Sequence, residues 1–145
     1  MKFLVINGVN LNLTGKREKG VYGTASLDEI NTKIETFCQA NGDEADFYQS
    51  NIEGEIVNKL HEAYATKSYD GILINAGAYT QYSIAIRDAI AAIDVPVAEV
   101  HISNVHAREE FRHTSVLSEG CRGVVCGVGA GSYMAAITGL KASLQ

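Results

Sequence analysis

The sequence predicts an α/β domain with helices covering both sides of a parallel sheet, and three observations carry that prediction. Short apolar runs alternate with amphipathic stretches along all 145 residues, the β-α rhythm of a parallel sheet. Runs such as Phe3-Leu-Val-Ile6 and Ile72-Leu-Ile74 are apolar at every position, as strands buried on both faces are. A polar stretch of seventeen residues, Asn7 to Gly23, with three asparagines and four glycines, follows the first run at once. It has neither helical nor strand period. In a small domain a stretch that long is more often a binding loop or lid than a connector. It also lies at the C-terminal end of a strand, where open α/β sheets hold ligands.

The elements follow in order. Residues 3–6 form the first strand. After the polar stretch, Ser26-Leu-Asp-Glu29 is a capping box, a hydroxyl and a carboxylate that satisfy the free amides of a helix's first turn. Leu27, Ile30, Ile34, Phe37 and Cys38 then recur at helical spacing, and Asn41-Gly42 supplies the stop. Residues 45–49 make a short second strand. Ser50-Asn-Ile-Glu53 reads as another capping box, opening a helix with Ile56, Val57, Leu60 and Tyr64 on one face. Gly71–Asn75 is the third strand, and residues 80–93 read as a helix with Ile86, Ala89, Ile90 and Ile93 facing in. Pro96 precedes a fourth strand at 97–102, and residues 106–111 predict one or two helical turns. Gly123–Cys126 is the fifth strand and residues 132–144 the last helix. The expectation is one catalytic domain over 1–145, with a lid loop at 8–23. Its fold would be a flavodoxin-like three-layer sandwich with a five-stranded parallel sheet of order 2-1-3-4-5.

Composition narrows the function classes. Hydrophobic residues at 46% and charged residues at 20% are ordinary for a soluble globular chain. The formal net charge of −5 argues against a nucleic-acid surface, while leaving room for a locally basic site that takes a small anion. Three cysteines with no CxxC spacing predict free thiols in a reducing compartment. The apolar run after Lys2 is only four residues long, too short for a signal peptide, and no stretch reaches membrane-span length. A cytoplasmic chain is expected.

In a parallel sheet the strand C-termini share one edge. That edge would gather the loop after Ile6, the segment Asn75-Ala-Gly-Ala-Tyr-Thr-Gln81, and the segment from His101 to Arg112. Arg17 alone is a solvated loop arginine and Tyr22 alone a turn anchor. Together on this loop they read as a tunable base. Ionising a free tyrosine at pH 7 costs roughly 4 kcal/mol, and a nearby guanidinium lowers the pKa by about 1–3 units. His101 lies two residues after Glu99 on the same strand face. A carboxylate there fixes the tautomer and keeps the imidazole protonated, as a general acid needs. The other reading of His101 is a satisfied core histidine. Spacings among His101, His106 and His113 match no zinc motif, so no metal site is expected. Arg108 and Arg112 stand four residues apart beside Glu109 and Glu110, either in surface ion pairs or as hydrogen-bond donors to hydroxyls or a carboxylate. The run Gly127-Val-Gly-Ala-Gly131 lacks the Walker lysine and reads as a place of tight helix packing.

Three motifs then carry a resemblance. Gly8-Val-Asn-Leu-Asn-Leu13 with Gly15-Lys-Arg-Glu18 and Tyr22-Gly23 is the first. Asn75-Ala-Gly-Ala-Tyr-Thr80 with Ser83 and Arg87-Asp88-Ala89 is the second. Glu99-Val-His-Ile-Ser-Asn104 with His106-Ala-Arg-Glu-Glu-Phe-Arg112 is the third. Together they resemble type II 3-dehydroquinate dehydratases over essentially the whole chain. The resemblance implies reversible elimination of water from 3-dehydroquinate to 3-dehydroshikimate through an enolate, in the shikimate route to aromatic amino acids. It implies no metal or organic cofactor, and a homo-dodecamer built as a tetramer of trimers. By similarity, Tyr22 takes the proton next to the ketone, Arg17 supports its ionised form and Asn12 holds a water for the enolate. His101, oriented by Glu99, protonates the leaving hydroxyl. The substrate carboxylate lies against Ser103 and the Ile102 amide, with Asn75, Gly77 and Ala78 alongside. Arg112 reaches ring hydroxyls, and Asp88 comes from a neighbouring subunit. Val9 and Lys19 stand where that family has prolines, which predicts a looser open loop. Gln81 replaces the usual histidine that binds a substrate hydroxyl, which predicts weaker or altered binding. The rival reading is a non-enzymatic flavodoxin-like module for a flavin or nucleotide, which would have no need of Arg17, Tyr22, Glu99 and His101.

Overall fold

The computed structural model describes residues 1–16 and 19–145, and all side chains among them except those of Lys19 and Tyr22. The strands are β1 (Lys2–Asn7), β2 (Glu44–Gln49), β3 (Gly71–Asn75), β4 (Val97–His101) and β5 (Gly123–Cys126). They form one sheet in the order β2-β1-β3-β4-β5, with every neighbouring pair parallel. This is the predicted order. Strand β3 is central, and β1 lies beside it and parallel to it, so the loops after β1 and β3 leave the same edge together.

The helices are α1 (Lys19–Tyr22), α2 (Leu27–Ala40), α3 (Glu53–Thr66), α4 (Ile84–Ala92) and α5 (Gly131–Leu144). Alternation along the strands assigns each face of the sheet a layer. Phe3, Val5, Leu73 and Val100 pack against α2 and α5 through Ile30, Ile34, Ile137 and Leu140. Leu4, Ile6, Ile72 and Ile74 pack against α3 and α4 through Ile56, Leu60, Ile86 and Ile90. Each such fully buried side chain is worth about 1.5–3 kcal/mol over exposure, so the two apolar faces fix the register. Cys38 is buried and the other two cysteines half-buried, all three as free thiols.

Register makes the C-terminal edge a polar row. Asn7 lies opposite both Gln49 and Asn75, and His101 lies opposite Cys126. The loops that leave this edge are pressed together. A Cβ on Gly8 would stand 2.4 Å from the Ala76 carbonyl oxygen. Gly77 is left-handed at φ +62°, and a Cβ there would stand 2.6 Å from the Val9 carbonyl oxygen. Only glycine permits that crossing. Part of the 8–23 stretch is ordered into turns that its sequence did not announce: a 3-10 turn at Leu11–Leu13, anchored by buried Leu11, and the short α1.

Several local predictions are corrected. The Ser26 cap holds, with Glu29 N–H donating to its Oγ at 3.1 Å. Ser50 does not cap α3, because Ile52 occupies the N-cap position. Ser50 instead donates to Glu55 Oε2 at 2.5 Å, and Glu53 accepts from Ser83 Oγ at 2.6 Å. The helix expected from residue 80 begins at Ile84, capped by Ser83; a separate 3-10 turn, Gly77–Gln81, precedes it. The turns expected at 106–111 are two 3-10 turns, Val105–Ala107 and Glu110–Arg112, separated by Arg108 in an extended conformation. In the glycine run after β5, Gly127 packs against Asn104 with its would-be Cβ 3.1 Å from that side chain. Gly129 has open space and instead meets the need for a positive φ of 63°.

Candidate active site

Two joined depressions occupy the polar edge. One is a cavity of about 110 Å³ lined by Asn75, Gly77, Ala78, Gln81, His101, Ile102, Ser103, Arg108 and Arg112, with Val9, Asn10, Leu11 and Val105. The other is a trough of about 580 Å³ that shares Ile102, Ser103 and Arg108 and runs along Gly20, Val21 and Gly23 of the α1 region. Eight of the residues expected at a site, all from the second and third segments, thus meet around one space, with Val9, Asn10 and Leu11 of the first motif beside them.

The floor is fixed by a buried amide network. Tyr133, on the inner face of α5, is fully buried. Its hydroxyl donates to Asn7 Oδ1 at 2.5 Å and accepts from Asn75 Nδ2 at 3.0 Å. Burial pushes its phenol well above the ordinary value, so it stays protonated. Asn75 Oδ1 in turn accepts from the Gly77 amide at 3.3 Å. A satisfied buried network of this kind holds one geometry, here that of the turn carrying Gly77, Ala78 and Gln81.

The chemistry-bearing pair stands on β4. Glu99 and His101 share a strand face, and both are buried. Their side chains meet at 2.5 Å, His101 Nε2 to Glu99 Oε2. The other carboxylate oxygen accepts from Ser115 Oγ at 2.8 Å and Ser118 Oγ at 2.7 Å. Burial alone pushes the Glu99 carboxyl up. Hydrogen bonds from His101, Ser118 and Ser115, together with the charge of His101, outweigh it and hold the carboxyl below its ordinary 4.5. An ionised Glu99 is acceptor-only, so His101 Nε2 donates to it and Nδ1 is the ring nitrogen left for a ligand. On the rim, Arg112 Nε donates to Glu109 Oε2 at 2.9 Å, and Arg108 Nε lies 3.7 Å from the same oxygen. The two arginines reach one cavity even though no continuous helix joins them.

A family model, dehydroquinase class II, matches residues 1–141. The chain belongs to the class II dehydroquinase family. The 3-dehydroquinate dehydratase of Caldicellulosiruptor bescii is 54% identical over 144 residues, covering 99% of each chain. That of Clostridium perfringens is 50% identical over the full length of both. The crystal structure of the type II dehydroquinase from Butyrivibrio crossotus superposes with a TM-score of 0.94 at 49% identity, covering 97% of each chain. Full-length agreement of sequence and fold leaves the flavin or nucleotide module unsupported.

Within this dehydroquinase fold, four of the expected site residues stand apart from the cavity or beyond description. Arg17 and the Tyr22 side chain lie outside the described residues. Asn12 is exposed and lines a separate depression with Thr14, Ser26 and Gln49. Asp88 sits on the outer side of α4, 66% exposed, with its carboxylate 3.3 Å from Arg87 Nη1. It does not reach its own chain's cavity. Among the described residues, no group of three His, Cys, Asp or Glu side chains is arranged to hold a metal. Sequence reasoning missed Asn7, Tyr133, Ser115 and Ser118. The one signal available for Tyr133 was a phenol on the apolar face of a helix, which needs a buried partner.

Proposed function

We propose that this type II 3-dehydroquinate dehydratase binds its substrate in the cavity at the ends of β3 and β4 and protonates the leaving hydroxyl from His101. The observation that carries the reading is that His101 lines that cavity while bonded behind to buried Glu99. Elimination needs a base at the carbon next to the ketone and an acid at the leaving group. Imidazolium beside carboxylate supplies the acid. Tyrosinate supported by Arg17 supplies the base, an assignment resting on the first sequence motif and on the neighbours of Tyr22 that line the trough. The C–H proton goes to Tyr22, and the enolate forms. The C–O bond then breaks as the hydroxyl takes the His101 proton and leaves as water. Proton return from Tyr22 to His101, through solvent or the departing water, resets both groups.

Ser103, the Ile102 amide and Asn75 receive the substrate carboxylate, and Arg112 and Gln81 the ring hydroxyls. Gly77 and Ala78 let the ring approach the backbone closely. The 8–23 stretch acts as a lid, its two ends lining the two depressions. Asn12 takes up its water for the enolate only when that lid closes further. Asp88 serves the neighbouring subunit in a homo-dodecamer, and Tyr82, just before α4, and Ile84, its first residue, 61% and 54% exposed, support packing against another copy. The single domain works in the cytoplasm, consistent with three free thiols, and needs no cofactor for the proposed steps. Mixing the protein with 3-dehydroquinate should produce the ultraviolet absorbance of the conjugated product. Tyr22→Phe should abolish turnover and keep ligand binding; unchanged turnover would remove Tyr22 from the base role.

A further inference from the structure

Ser115 and Ser118 take no part in the steps above, yet they enclose one whole side of the carboxylate behind the acid. Neither lines the cavity or the trough. Both hydroxyls donate to Glu99 Oε1, at 2.8 and 2.7 Å, while Oε2 faces His101. Ser115 has no freedom to turn away. Its Oγ accepts from the Leu117 amide at 3.1 Å and the Ser118 amide at 3.2 Å. Both lone pairs are therefore engaged, and its hydrogen is left for Glu99. The turn that carries the serines is itself pinned, by fully buried Leu117 and by the Val116 amide donating to the Thr80 carbonyl at 2.9 Å.

A buried carboxylate and imidazole in contact can hold their shared proton in two places. On the imidazole, both groups are charged. On the carboxylate, both are neutral, and desolvation favours that form. The two differ in what they can do. An imidazolium protonates a leaving hydroxyl readily, whereas a neutral imidazole is a far weaker acid. Two O–H donors aimed at Oε1 favour the ionised carboxylate and oppose the desolvation. Among the described residues, the other titratable group that Glu99 acts on is Cys121, whose thiol is pushed up to about 12 by burial and the Glu99 charge and stays neutral.

We propose that Ser115 and Ser118 are positioning residues that hold the shared proton of the Glu99–His101 pair on the imidazole, and so keep the acid in its active form. The proposal rests on His101 being the acid. S115A and S118A should each lower kcat about tenfold, the effect of one donor lost from a buried charge, with KM within about twofold of the parent. The double variant should lose more, and S115T or S118T should recover most of the single loss. With ¹⁵N-labelled histidine, His101 should move from the imidazolium toward the neutral pattern in the double variant. Parent-like kcat in both single variants would overturn the proposal, as would a loss confined to KM, or an imidazolium retained despite lost turnover. Thermal unfolding identifies variants that fail to fold; if the double variant fails, the singles and their threonine counterparts decide. His101→Ala separates the two ideas. Inactive His101→Ala with parent-like serine variants brings down this proposal alone, and an active His101→Ala brings down the acid assignment beneath it.

Discussion

Replacing Glu99 by glutamine keeps the shape of the side chain and removes its charge, which isolates what the carboxylate does. The amide carbonyl can accept the Ser115 and Ser118 hydroxyls as Oε1 does now. The amide NH₂ then faces His101 Nε2 in place of Oε2, across 2.5 Å. Two donors cannot face each other, so the ring must present a bare nitrogen and becomes neutral. A positioned general acid is worth about 10²–10⁴-fold in rate, and a neutral ring keeps only part of it. Glu99→Gln should therefore lower kcat at neutral pH by about 10- to 1,000-fold. KM should change little, because Glu99 does not line the cavity. In the absorbance assay, the limb of the pH–rate profile on which the acid loses its proton should move toward lower pH. Stability gives an independent reading. The Glu99 carboxyl titrates below its ordinary 4.5 when folded. Its contribution is then complete above that value and lost as pH falls through the lowered one. Urea midpoints of parent and variant should accordingly converge in acid. Parent-like kcat with an unmoved limb would refute the reasoning.

Two further outcomes follow from the same geometry. Tyr133→Phe leaves Asn7 Oδ1 and Asn75 Nδ2 buried without their partner, at about 1–3 kcal/mol each. Urea unfolding should show that loss, and KM should rise as the turn behind Asn75 loosens. Gln81→His should lower KM by about fivefold, roughly the value of one hydrogen bond; an unaltered or raised KM would show that position 81 does not limit affinity.

The parts legible in the sequence are those that follow from periodicity. Strands buried on both faces leave unbroken apolar runs, so residues 3–6 and 72–74 declared a parallel sheet covered on both sides, while its order followed from the likeness of five alternating strands to a flavodoxin-like arrangement. Alternation on one strand sufficed to bring Glu99 and His101 together. The Tyr133 bond to Asn7 spans 126 positions, and no local pattern encodes it. Ser50 looked like a cap because Glu53 follows three residues later, but Ile52 intervenes at the N-cap and Glu53 is taken by Ser83. Arg108 and Arg112 carried helical spacing, yet Arg108 is extended, and the two meet only because tertiary packing folds two turns over one cavity. Ser115 and Ser118 act through a single irregular turn, where neither period applies.

The central claim is that water leaves through the cavity at the ends of β3 and β4, with His101 as the acid. Product formation from 3-dehydroquinate, followed by ultraviolet absorbance for the parent and His101→Ala side by side, tests it most directly. The parent should form the conjugated product, while a folded His101→Ala protein should bind the substrate and turn it over at least a hundredfold more slowly, the low end of about 10²–10⁴ for a lost general acid. No product from the folded parent, or a His101→Ala rate equal to the parent's, would contradict it.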